Sequence, residues 1–175
     1  MEGTVSVGPV PPGLAAEGAH VAVADLDQTA AQQVASGLRH RDRPHIAVWL
    51  DVTDASSVER AFADTASGLG GIDVAINVAG GDTFHSTFEE TTDEVWVRMI
   101  ELNLLSVVRC CRAAIPHLRR SAKSPAIVNV SSVNALAALV PYGKSVAVEV
   151  WVPPPFMVCR CSARSRSFRA WGAAS

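Results

Sequence analysis

The feature that most constrains this chain is an alternation. Through its middle, a short apolar run rich in β-branched residues ends at an acid or a glycine turn, a helical stretch follows, and the pattern begins again. Such a repeat specifies parallel strands joined by crossover helices. Residues 20–24 (HVAVA) read as a strand stopped by Asp25, and residues 28–38 as a helix with Ala31, Val34, Ala35 and Leu38 on one face. Residues 45–50 (HIAVWL) form the next strand, stopped by Asp51. Thr53 or Asp54 caps a helix that buries Val58, Ala61, Phe62 and Thr65 and ends in Gly68, Gly70 and Gly71. Residues 73–78 (DVAINV) make a third strand closed by Ala79, Gly80 and Gly81. A long helix over residues 93–120 opens with the capping box Thr91-x-x-Glu94, and residues 126–130 (AIVNV) are a fourth strand reaching Ser131 and Ser132.

These runs lack strict polar alternation, so the strands read as buried on both faces of an open α/β sheet. In such sheets ligands bind beyond the carboxyl ends of the strands. Asp25, Asp51, residues 77–81, Ser131 and Ser132 therefore fall along one crevice edge. Composition agrees with a single globular domain: of 175 residues, 49% are hydrophobic and 18% charged. Charge is uneven, with a net −6 over residues 1–150 and +4 over residues 151–175, where four arginines meet no acid. The acidic body argues against a nucleic-acid partner. No apolar run reaches the roughly 18 residues of a membrane span, and residues 1–13 lack the basic start and apolar centre of a secretory signal, so a soluble cytoplasmic protein is expected. Cys110 with Cys111, and Cys159 with Cys161, have neither disulfide-framework nor metal-type spacing; reduced thiols are expected and no metal site is assigned.

At these residues the chain resembles the short-chain dehydrogenase/reductase family. The likeness runs from about residue 14 to about residue 150 and rests on five motifs in order: AAEGAHVAVADLD (residues 15–27), DVTD (51–54), GIDVAINVAG (71–80), ELNLLSV (101–107) and IVNVSS (127–132). The resemblance implies a Rossmann-type doubly wound parallel sheet and hydride transfer between NAD or NADP and a small carbonyl or alcohol substrate. It assigns Asp25, Asp51, Val52, Asn77, Ala79 and Gly80 to cofactor binding. An acid at the position of Asp25 accepts hydrogen bonds from an adenosine ribose and repels a 2′-phosphate, which argues for NAD over NADP. Read as residues alone, Asp25 and Asp51 are equally turn or capping acids, and Gly80-Gly81 a simple turn.

Asn103 sits in an apolar helical stripe with Trp96, Ile100, Val107, Cys110 and Ala114, and a buried amide left unpaired costs about 1–3 kcal/mol. A helix kink, an ordered water or the family's proton-relay role would each satisfy it. The resemblance makes Asn103 a support of that relay, Ser132 the orienter of the substrate oxygen, Tyr142 the acid and Lys144 its assistant. It further implies pairing through the long helix, and a second apolar set of Val95, Met99, Leu102 and Leu105 points to a homodimer or homotetramer.

Both ends depart from the family. A loop of the form T-G-x-x-x-G-x-G, which brings backbone amides to a pyrophosphate, is missing. Gly3, Gly8 and Gly13 are interleaved with Pro9, Pro11 and Pro12, so no phosphate-binding glycine is assigned. The family's Y-x-x-x-K is here Tyr142-Gly143-Lys144, a two-residue offset that turns side chains by roughly 200° on a helix. After Val150 the chain becomes proline- and arginine-rich and acid-free, which reads as a disordered basic tail. The expected organisation is an atypical segment 1–13, a partial dinucleotide-binding domain 14–150 and the tail 151–175, as in a relative truncated or frame-shifted at both ends. Two functions are compatible with this organisation: an impaired short-chain oxidoreductase, or a catalytically silent chain that binds or pairs with other proteins or folds poorly.

Overall fold

Asp27 and Asp54 start the helices that follow the first two strands. The structure is a computed structural model describing residues 12–38, 45–81 and 88–131. After the short helix α1 (Pro12–Ala16) and strand β1 (Ala22–Asp25), the Asp27 carboxylate accepts the backbone N–H groups of Thr29 and Ala30 at 2.9 and 3.0 Å. It thereby satisfies two of the donors that open α2 (Gln28–Gly37). Strand β2 (Ile46–Trp49) follows, and Asp54 caps α3 (Ala55–Leu69) by accepting from Ser56 at 2.9 Å. Thr53 does not cap; its hydroxyl and amide both turn back to Asp51. Gly70 closes α3 with a left-handed φ of 74°, a conformation glycine adopts without a Cβ clash. Strand β3 (Val74–Asn77), a 3₁₀ turn (Phe88–Glu90), α4 (Asp93–Ile100), a π-turn (Glu101–Leu105), α5 (Ser106–Leu118) and β4 (Ala126–Asn129) complete the described order.

The fold is the α/β arrangement that the alternation predicts, with each strand shorter by one or two residues than its apolar run. The four strands pair as two parallel ribbons, β1 with β2 and β3 with β4. Register sets Val23 beside Ala47 in the first and Ala75 beside Ile127 in the second. In the doubly wound order 3-2-1-4-5-6, these correspond to strands 2, 3, 4 and 5, and the first strand lies between the second and fourth. Among the described residues no strand precedes β1.

The helices join what the strands leave apart. Ala31 and Ala35 of α2 bury against Val23, with Val21, Leu38 and Ala47 around them. Val34 is exposed, against expectation, because α2 meets the sheet along a narrow alanine stripe. On α5, Ala114 and Leu118 cover Ala75 and Ile127, and Phe62 and Ala66 of α3 pack on the same cluster. Val52, Val58 and Cys110 form a third cluster that gathers Leu50, Ala79 and Leu102, so the ends of both ribbons share one core. The expectation of strands buried on both faces fails for β2 and β3, where Trp49 and Ile76 are exposed; α5 covers the Ala75 side of β3.

The long helix also differs from its expected form. Thr92, not Thr91, occupies the N-cap position, and the Thr91 hydroxyl instead accepts from the Trp96 indole at 3.0 Å. Its middle is a π-turn in which the Ser106 N–H reaches the Glu101 carbonyl five residues back. One extra residue in a turn rotates the residues before it by about 100° relative to those after it. The core stripe is therefore Met99, Ser106, Cys110, Ala114 and Leu118. Ile100 faces solvent, and the set expected to be a free apolar face is broken: Met99 is only 1% exposed and Leu102 packs on the third cluster.

Burial pushes the Cys110 thiol up to about 11, with the neighbouring Cys111 adding to the rise and Arg109 opposing it. The folded state thus holds Cys110 neutral, while an unfolded thiol ionises near its ordinary 9.0. Stability from this difference is fully present below pH 9 and is lost as pH rises toward 11. Urea unfolding from pH 8 to 11 should show wild type losing up to about 2–3 kcal/mol more than Cys110→Ala. Parallel losses in the two proteins would contradict the assignment.

Candidate cofactor and catalytic site

The carboxyl ends of the strands meet through short links. The Leu50 N–H donates to the Asp25 carbonyl at 2.9 Å, which sets the loop after β2 beside the end of β1. Val52 from that loop and Ala79 from the loop after β3 pack in one cluster. Asp25, Val52 and Ala79 thus come to one edge by backbone pairing and apolar contact.

Each acid on this edge also shapes its own turn. Asp25 is buried, and its Oδ1 accepts the Asp27 N–H at 2.9 Å. Asp51 accepts from the Thr53 N–H and hydroxyl at 2.8 and 2.6 Å, while the Asp51 N–H donates to the buried Ser57 hydroxyl at 2.9 Å. These are Asx-type turns, in which a short carboxylate replaces a backbone acceptor. The turn-forming reading of both acids is therefore visible in the geometry.

Asn77 turns toward α5. Its Nδ2 donates to Asn129 Oδ1 at 2.8 Å and to Cys111 Sγ at 3.6 Å. Burial raises the Cys111 thiol, and its contacts with Asn129 and Asn77 oppose that rise. The sequence reading missed Asn129 and Cys111. The signal was present, since Asn77 and Asn129 occupy facing positions of paired parallel strands and so share a face.

Asn103 is the most connected group of the site. Its Oδ1 accepts the Gly81 N–H at 2.7 Å, and its Nδ2 donates to the carbonyls of Gly81 at 3.1 Å and Met99 at 3.0 Å. The carboxamide makes a two-bond bridge to one backbone residue while donating to the helix carbonyl four residues back. A kink and a loop clamp thus satisfy it. Gly80 lies beneath: a Cβ there would stand 2.8 Å from Asn103 Oδ1. Gly81 has a φ of 141°, which side chains rarely adopt. Ser132, Tyr142 and Lys144 lie outside the described residues. Among the described residues, no cluster of three or more His, Cys, Asp or Glu is placed to hold a metal ion. No described helix is long and apolar enough to cross a membrane.

The pattern of the family described as short chain dehydrogenase matches residues 11–146. The chain belongs to the short-chain dehydrogenase family. It is 38% identical over 121 residues to the meso-2,3-butanediol dehydrogenase of Serratia marcescens, an alignment covering 69% of this chain and 46% of that protein. It is 35% identical over 119 residues to a 2,5-dichloro-2,5-cyclohexadiene-1,4-diol dehydrogenase of Sphingobium indicum, covering 67% and 46%. Among solved structures it superposes on an NADH-dependent reductase responsible for alginate metabolism. That match has a TM-score of 0.68 at 26% identity and covers 81% of this chain and 63% of that one. The chain spans about half the length of the curated relatives it matches.

The contact between Gly80 and Asn103 gives a stability test. Gly80→Ala should destabilise because Asn103 Oδ1 is pinned by the Gly81 amide and cannot swing aside. In Asn103→Ala the obstruction is gone, so the two changes should couple by about 0.5–3 kcal/mol in a double-mutant cycle of urea unfolding. Strict additivity would mean the pair does not touch as described.

Proposed function

We propose that this chain is a nicotinamide-dependent oxidoreductase of the short-chain type, acting on a small carbonyl or alcohol, with low turnover. The observation that carries the reading is the meeting of Asp25, Val52 and Ala79 on one strand-end edge, with Gly81 held by Asn103. The residues present suit the adenosine side of such a cofactor. Val52 and Ala79 offer a small apolar floor, Gly80 leaves the backbone approachable, and Asp51 orders the adjoining loop. Asp25 disfavours a 2′-phosphate by charge, so NAD is the proposed cofactor and NADP the weaker one. The match to an NADH-dependent reductase supports the same choice.

When bound, the nicotinamide supplies or takes up the hydride. By the family pattern, Ser132 orients the substrate oxygen and Tyr142 passes it a proton, with Lys144 assisting and Asn103 supporting proton supply. The Tyr142-Gly143-Lys144 spacing separates the acid from its assistant, and this motivates the low turnover. For the partner, we propose a homodimer through Val97, Ile100, Val108 and Ile115, the apolar residues that α4 and α5 leave exposed. These replace Val95, Met99, Leu102 and Leu105 as the candidate pairing set.

Calorimetric titration of the purified chain should show NAD binding more tightly than NADP, with Asp25→Ser narrowing the gap. In sedimentation the same preparation should run as a dimer. With NADH and a panel of ketones, turnover should fall about 10²–10⁴-fold short of an enzyme with a well-placed general acid. No binding at millimolar NAD would contradict the cofactor reading, and a monomer the pairing. Vigorous NADH consumption abolished by Tyr142→Phe would contradict the low turnover.

A further inference from the structure

The exposed side of the long helix carries charge as well as apolar groups, and the charge is divided by sign. Glu89, Glu90, Asp93 and Glu94 gather at its N-terminal end and Arg112, Arg119 and Arg120 at its C-terminal end, all exposed. Such a division suits the dipole of the helix itself. The dipole does not require, however, that Asp93 and Arg119 lie in line with Ile100, Val108, Arg112 and Ile115. Eight positions separate Ile100 from Val108. At about 100° a step they would point about 80° apart, and the wide turn between them gives back about 100°, leaving about 20°. By the same count Asp93 and Arg119 fall within roughly 40° of Val108. Among the described residues neither has an ion-pair partner. Arg109 is taken by Glu101, and Arg112 shares a groove with Glu59 of α3.

The stripe is complementary to its own reverse. Counted outward from Ser106, Leu104 and Val108 lie two residues away on either side, Ile100 and Arg112 six, Val97 and Ile115 nine, and Asp93 and Arg119 thirteen. We propose that a second copy of this chain lies antiparallel along α4 and α5, with a two-fold axis level with Ser106, so that the Asp93 carboxylate of each protomer meets the Arg119 guanidinium of the other. The proposal rests on the pairing reading above and gives it a direction and a register. Apolar residues then meet apolar ones, the methylenes of Arg112 cover Ile100, and two acid–base pairs close the rim. A parallel pair would set acid on acid and base on base. Exposed ion pairs add little affinity, but like charges brought together penalise the wrong register.

Sedimentation equilibrium of the full chain tests this register with two charge reversals outside the proposed cofactor and catalytic residues. Asp93→Arg and Arg119→Glu should each weaken self-association at least about tenfold, since each places like charges together twice per dimer. Their equimolar mixture should associate about as tightly as the unaltered chain, because every rim contact in the mixed pair is again acid on base. Recovery on mixing also shows that both variants are folded. Asp93→Asn and Arg119→Gln, which cannot repel, should weaken association less than the reversals do. A monomeric unaltered chain would overturn the pairing and the register together. A dimer that either reversal leaves unchanged would overturn the register and leave the pairing standing, as would weakened variants that keep their helix content but do not recover on mixing.

Discussion

The bridge between Asn103 and Gly81 is the interaction on which the site depends. A side-chain donor on a helix can reach the carbonyl four residues back, which leaves the other groups of a carboxamide free to bind elsewhere. Asn103 lies within the π-turn over Glu101–Leu105, and its amide donates to the Met99 carbonyl while its carboxamide also bridges the backbone of Gly81. The same irregularity rotates α4 against α5. It brings Met99 into the core, turns Ile100 out and lets Glu101 reach Arg109. This one wide turn sets the phase of the long helix and carries the Asn103 that holds the glycine loop.

The alternation of apolar runs and acids made the order of elements legible, because strand stops and helix caps are local chemistry. Asp27 and Asp54 cap through their own carboxylates, and Gly70 closes α3 through its φ, without help from distant contacts. The π-turn was not legible. Periodicity arguments assign every residue the same 100° step, so an extra residue leaves no mark in the pattern and transfers the core from Ile100 to Met99. Asn103 was correctly singled out as an amide needing partners, but the partner lay 22 residues away in a loop whose position depends on the fold. Asn77 and Asn129 pair only once parallel register places them side by side.

The division of the strands into two ribbons shows what the helices contribute. Backbone ladders hold β1 to β2 and β3 to β4, whereas side-chain burial by α3 and α5 holds the ribbons to a common core. The strand-end edge survives this division because Val52 and Ala79 meet within that core rather than through a ladder. Membership of the short-chain dehydrogenase family and the geometry of this edge are the two grounds on which a cofactor site is proposed there.

Hydrogen exchange at the Gly81 amide tests the central claim most directly. Held by Asn103 at 2.7 Å, this amide should exchange well below the rate of an exposed loop, although the residue itself is exposed. In Asn103→Ala its protection should disappear, while the amides of β3 and β4 keep theirs. A Gly81 amide that exchanges freely in the unaltered protein, or stays equally protected without the Asn103 carboxamide, would contradict the account.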